Sequence, residues 1–209
     1  MKRTFLLSLI ALLSLSTIQA AEPAWQENPH SLSISAGAVS GFYLAKSLFS
    51  WIPVAAGHSQ NVKYYGNYGL QYYYQPKRWC RVGVKGNWEG DFYDLYTAKK
   101  DDPKALKKGV TFDHAVSLVA SVQFTYLNME HVQLYSGLDA GAAAYIKDTR
   151  YEAGYDDGKG NSHPVQVTWL PAFNLTPIGV AFGSWRVFGY LETNIGYEAF
   201  AKIGLGVHI

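Results

Sequence analysis

The chain has 209 residues, with 18 Lys and Arg against 16 Asp and Glu, one Cys, 16 Tyr, six Trp and 20 Gly. A single cysteine excludes an internal disulfide framework and a thiolate metal cluster. Once Lys2 and Arg3 go with a cleaved leader, 16 basic residues face 16 acidic ones, which lacks the basic excess of a nucleic-acid binder.

Residues 1–20 read as a signal peptide: Lys2 and Arg3, an apolar core from Phe5 to Ile18, then Ala20 and Ala21 as small residues for cleavage. Residues 21–30 carry Pro23 and Pro29 and read as a periplasmic lead-in. No later apolar run approaches the roughly twenty residues of a membrane-crossing helix. A mature chain that enters a membrane must therefore do so as a barrel.

The first strand is expected over 31–41, where Leu32, Ile34, Ala36 and Ala38 alternate with Ser33, Ser35 and Gly37. Residues 42–61 form a long connection broken by Pro53 and Gly57. It carries an apolar cluster at near-helical spacing, Leu44, Leu48, Phe49, Trp51 and Ile52. Such a cluster marks a contact: capping the barrel mouth comes first, before lying on the outer leaflet or docking a partner. A second strand spans 62–75, and Pro76-Lys77-Arg78 turns the chain. The third, 79–91, sets Cys80, Val82, Val84, Gly86 and Trp88 against Arg81, Gly83, Lys85, Asn87 and Glu89. Residues 92–109 read as a polar loop with Lys99, Lys100, Lys104, Lys107 and Lys108. These lysines are candidates to meet lipopolysaccharide phosphates or acidic glycans, although a charge run is more often a solvated face.

The fourth strand, 110–126, presents Val116, Leu118, Ala120, Val122, Phe124 and Tyr126 on one side, and the fifth, 130–145, presents Val132, Leu134, Leu138, Ala140 and Ala142. Residues 146–162 form a third long connection. Its Asp156–Asn161 run fails the carboxylate spacing of an EF-hand and reads as a Gly-rich turn. The sixth strand, 163–182, contains Pro164, Pro171 and Pro177 and changes phase, so a bulge is expected near Thr176-Pro177. The seventh, 186–196, keeps Phe188, Tyr190, Glu192 and Asn194 on the polar side. A short connection at Tyr197-Glu198 leads to the last strand, 199–209. There Ala199, Ala201, Ile203, Leu205, Val207 and Ile209 share one face, and Phe200, Lys202, Gly204, Gly206 and His208 the other.

Eight strands result, with connections alternating long and short until the last, and with both termini on the short-turn side. That is the layout of an all-β, eight-stranded antiparallel up-and-down transmembrane β-barrel with long extracellular loops. The alternative is a soluble lipocalin-like barrel, apolar within. Uncharged apolar faces, with Tyr72, Tyr74, Phe124, Tyr126 and Phe182 near the short turns and Trp88 near a long loop, favour the inverted arrangement. The polar faces then line the lumen and bring in Arg81, Lys85, Glu89, Asp139, Glu192 and Lys202, with Glu192 and Lys202 at one height on adjacent strands. An eight-stranded lumen is just wide enough for side chains to fill. A structural charge network is therefore preferred over an ion pathway or a catalytic carboxylate pair.

The six histidines show no zinc-ligand spacing, and no cofactor is expected. His208 is expected to be solvated at the periplasmic rim. His58-Ser59 and Ser162-His163, with Glu152 or Asp156, are the pairs from which a lipid A acylhydrolase or acyltransferase would have to be built. A narrow channel is the second alternative to a non-enzymatic surface protein acting through its extracellular loops.

From 165 to 209 the segments V-Q-V-T, T-P-I-G-V-A-F-G, F-G-Y-L-E-T-N-I-G-Y and K-I-G-L-G-V-H-I resemble small Gram-negative outer-membrane β-barrel proteins of unassigned function. More distantly, the layout is similar to OmpX-type eight-stranded barrels. The end of the chain resembles the C-terminal insertion signal of such barrels through Lys202, Gly204, Val207 and Ile209, with Ile where Phe is usual. The resemblance implies surface loops, a plugged lumen, and the barrel-assembly machinery, outer-membrane lipid and lipopolysaccharide as partners.

Overall fold

The computed structural model describes residues 29–40, 59–97, 106–129, 131–184 and 186–209. The signal peptide, nearly all of the lead-in, and Leu44, Leu48, Phe49, Trp51, Ile52, His58, Lys99, Lys100 and Lys104 lie outside the described residues. Period-two alternation becomes eight strands: β1 (His30–Ser40), β2 (Ser59–Lys77), β3 (Cys80–Tyr96), β4 (Lys107–Asn128), β5 (Val132–Tyr151), β6 (Val165–Gly183), β7 (Val187–Gly196) and β8 (Ala199–His208). Each pairs antiparallel with its sequence neighbours, and β8 closes the cylinder on β1 through register pairs such as Ile34↔Leu205. Closure removes the sheet edge within the membrane.

Several strands run farther than the alternation suggested. The β3–β4 ladder continues through Asp91↔Asp113 to Leu95↔Gly109, and β5 continues to Tyr151. These ends are polar on both faces, so they carry no hydrophobic period although the backbone pairing persists. Lys107 and Lys108 accordingly open β4 instead of lying in a loop, and Lys107 Nζ sits 2.8 Å from Asp94 Oδ1. His30 belongs to β1, not to the lead-in.

The bulge falls where the prolines and the phase change place it: the register slips between Leu175 and Ile178 against β7, and between Tyr135 and Gly137 against β5. Ser136 Oγ donates to the Pro177 carbonyl at 2.7 Å and Thr193 Oγ1 to the Ile178 carbonyl at 3.2 Å. Two hydroxyls thus satisfy backbone acceptors that the broken ladder releases on the outer wall, where water is not available to do so.

Height is uneven around the cylinder. Strands β7 and β8 have 10 residues each, whereas β2 to β6 have 17 to 22. The β6–β7 pairing ends at Asn174↔Gly196, so Val165–Phe173 of β6 pair with β5 alone. Likewise the β1–β2 pairing ends at Gly37↔Asn67, and the described part of β2 above it pairs with β3. A five-stranded sheet therefore rises past the β7–β8 turn.

Burial is inverted relative to a soluble barrel. Leu118 is 68 % exposed and Leu205 64 %, while Lys85 and Gln133 are fully buried. Among the described residues no helix is long and apolar enough to cross a membrane; the apolar surface is carried by strands.

Candidate functional site

Two stacked layers fill the lumen. The lower one is aromatic. Tyr73, Tyr135, Phe188 and Tyr190 point inward, and each lies directly across from a glycine on the neighbouring strand: Gly83, Gly179, Gly206 and Gly204. A Cβ at any of these glycines would collide with the ring opposite, except that at Gly83 it would strike the Tyr72 carbonyl as well as Tyr73. Large and small residues thus interlock around a narrow axis. The phenols are fixed by hydrogen bonds: Tyr135 donates to Glu192 Oε1 at 2.8 Å, Tyr73 shares 2.7 Å with Ser121 Oγ, and Gln71 Nε2 donates to Tyr190 Oη at 2.7 Å. The Arg81 guanidinium lies 4.7 Å from the Tyr135 ring centroid and 5.6 Å from that of Tyr73, where the faces of both rings attract it. His208 is not solvated as expected. It is 9 % exposed, with its ring 4.7 Å from that of Phe188, because the inward face of β8 carries the side chain into the lumen mouth.

Above the rings lies a layer of charge. Lys202 Nζ is 2.8 Å from Glu192 Oε2 and 2.6 Å from Glu198 Oε2, and Lys85 Nζ is 2.9 Å from Asp139 Oδ2 and 3.6 Å from Glu198 Oε1. Asn87 and Asn174 donate into the same carboxylates, at 3.3 Å to Glu198 and 3.0 Å to Asp139. Two lysines thus face three acids, and Arg81 in the layer below supplies the third positive charge. So dense a balance is what makes buried ions tolerable.

The acid that joins the two lysines is Glu198, which the sequence reading left in a connection. The β7–β8 turn is low enough for its side chain to drop into the lumen, where it is fully buried. The available signal was a carboxylate two rungs above Lys202 on the same parity. Glu89, placed in the network by parity, accepts from Asn67 Nδ2 at 3.4 Å instead of joining the two lysines. The tight turn also reverses two neighbours. Ala199 is fully buried and Phe200 is 58 % exposed, opposite to strict alternation, so the ring goes to the apolar side.

Little space remains. Between Arg81, Gln71, Gln123, Tyr190 and Glu192 the cavity measures about 10 Å³, room for about one water. The acids are engaged in ion pairs, and Ser162 and His163 are exposed in the β5–β6 connection, where the His163 amide donates to Asn161 Oδ1 at 2.9 Å. Among the described residues no three His, Cys, Asp or Glu side chains are grouped to hold a metal ion. The arrangement is built to seal and to hold shape.

Outside, rings border the apolar wall at both ends. Near the short turns Trp79 stacks on Phe124 at 6.2 Å, and Tyr72 and Tyr74 flank His30. Toward the other end Tyr65, Phe92, Phe112, His114, Trp88 and Tyr68 form a chain of ring contacts, with Lys63 over Phe92 and Arg150 over Phe112. An uncharged band between two aromatic girdles, around a polar interior, has one physical setting. The chain is a transmembrane β-barrel of the outer-membrane type. Within it, of the terminal-signal residues, Lys202 and Gly204 face the lumen while Val207 and Ile209 face outward.

No family model matches this chain, and no curated protein does. Among solved structures it is similar to Ail, the attachment invasion locus protein of Yersinia pestis, in complex with the heparin analogue sucrose octasulfate, at 14 % identity over 85 % of this chain and 93 % of that one, with a TM-score of 0.41. It is also similar to the N-terminal β-barrel domain of Pseudomonas aeruginosa OprF, at 13 % identity over 86 % and 97 %, with a TM-score of 0.38. The barrel assignment rests on the strand pairing and the inverted burial, not on these likenesses.

Proposed function

We propose that this chain is an exported outer-membrane surface protein, non-enzymatic and non-conducting, whose working surface is the sheet that rises above the membrane. The observation that carries this reading is the free edge of β6. Thr149 N donates to the Pro164 carbonyl, so the register turns even-numbered residues of upper β6 toward β5. The backbone groups of Val165, Val167 and Trp169 then face the open side. Pro171 shares that side, where a missing N–H is tolerated. Beside this edge stand Val167, 53 % exposed, and Trp169, 72 % exposed. An edge of unpaired donors and acceptors flanked by apolar side chains is the template that an extended polypeptide joins as an added strand. Lys63 and Arg150, held over rings at the outer girdle, suit the phosphates of lipopolysaccharide around the barrel, and the barrel-assembly machinery would read the terminal strand during insertion.

Trypsin added to intact cells should cut at Lys159 and leave the barrel protected; cutting only after permeabilisation would place the sheet in the periplasm and end this reading. A peptide library panned on the purified protein should yield extended sequences with alternating apolar residues. Capture should fall in Val167→Pro, which deletes an edge N–H at a site where proline fits. Equal capture by both proteins would remove the edge as the binding surface.

A further inference from the structure

The outer wall is not evenly convex. Across β6, β7, β8 and β1 it sinks into a groove of about 560 Å³, lined by Ala36, Ala38, Ile178, Leu191, Thr193 and Ala201 among others. Short side chains on three adjacent strands, set beside the bulge, produce the hollow. Its one hydroxyl, on Thr193, is already donated to the Ile178 carbonyl, so the lining offers nothing that water would bond. At about 2.5 Å of height per tilted residue, Thr193 and Ala201 stand roughly 18 Å above the short-turn end of a band about 25 Å tall. That is its outer half.

Three occupants are available to a hollow at this depth. Water is excluded by the apolar lining. A second copy related by a twofold axis along the membrane normal brings the same patch to itself, and two hollows facing each other do not fill. A lipid chain is fluid enough to follow the hollow and is continuous with the solvent of the rest of the wall. We propose that this groove is a fixed lipid site, occupied by an acyl chain of an outer-leaflet glycolipid. The leaflet assignment rests on the orientation proposed above, whereas chain binding itself does not.

The test uses full-length protein reconstituted with equal amounts of lipid A and phosphatidylethanolamine, extracted into detergent and weighed intact by native mass spectrometry. Wild type should retain one lipid A per barrel. Ala38→Phe with Ala201→Phe, which fills the hollow, should lower retention by about tenfold or more. Ala120→Phe, on a distant part of the outer wall, should not, and heat-modifiable gel migration reports that each variant is folded. Equal retention by wild type and the filled variant, or no retention by wild type, overturns the site. Retention of phosphatidylethanolamine alone overturns the glycolipid. Efficient cross-linking of Ala201→Cys between two barrels, in a Cys80→Ser background, overturns the lipid in favour of a second copy. The orientation fails separately, through the trypsin result.

Discussion

Lys202 shows how much one side chain holds in this lumen. It contacts Glu192 and Glu198, each buried and each lacking an equivalent second lysine at the same distance. Lys202→Met should therefore lower stability by about 3–5 kcal/mol, the range for removing one partner of a buried pair. The readout is the urea midpoint of the folded, slow-migrating form; an unchanged midpoint would show that the charge layer is not what holds the barrel. Glu198→Gln keeps the shape and much of the hydrogen bonding, so a smaller loss of about 1–3 kcal/mol is expected. At the other extreme of exposure, the Asp157 carboxylate accepts the amides of Lys159 at 2.8 Å and Asn161 at 3.2 Å. First the Lys159 amide, then that of Asn161, holds its pKa below the usual carboxylate value. A depressed pKa means that the turn's order is fully present above the ordinary carboxylate pKa and is lost only as pH falls through the lowered one. Amide shifts of Lys159 and Asn161 followed by NMR should thus stay constant through mildly acidic pH; a transition near neutrality would contradict this.

At the scale of elements, glycines and aromatics are paired across strands, and the pairing sets which strands can be neighbours. Gly204→Val would push Tyr190 off the axis, for a cost of about 1–3 kcal/mol from overpacking. Tyr190→Ala in the same molecule should return part of that loss, since the two side chains compete for one space. Additive losses in the double variant would mean that Gly204 matters for assembly alone, through the terminal signal. The bulge in β6 behaves as a second element-scale device. Its hydroxyls cover carbonyls that face lipid, so Ser136→Ala should cost about 1–3 kcal/mol by leaving the Pro177 carbonyl unsatisfied.

For the whole molecule, the rings, the Arg81 sandwich and the charge layer leave no continuous path through the lumen among the described residues, and the working surface is moved outward onto the projecting sheet. Planar-bilayer recordings of the wild type should be silent. Steady ion conductance would return the narrow-channel reading and would place Lys85 and Glu198 on its path.

Strand number, the inverted wall and the β6 bulge were legible in the residues themselves. Each depends on local alternation and on where proline can sit, and the Glu192–Lys202 height match follows from counting along two strands joined by a short turn. Three features needed the tertiary structure. Polar strand ends have no hydrophobic period, so the extension of β3, β4 and β5 that builds the projecting sheet emerges only from backbone pairing. Glu198 occupies the lumen because the β7–β8 turn is lower than its neighbours, a matter of relative height around a closed cylinder that no single strand records. The groove arises where side chains from four strands, β6, β7, β8 and β1, are brought side by side by closure. Alternation is a property of one strand and can be read along the chain; depth, height and curvature belong to the ring and exist only once β8 meets β1.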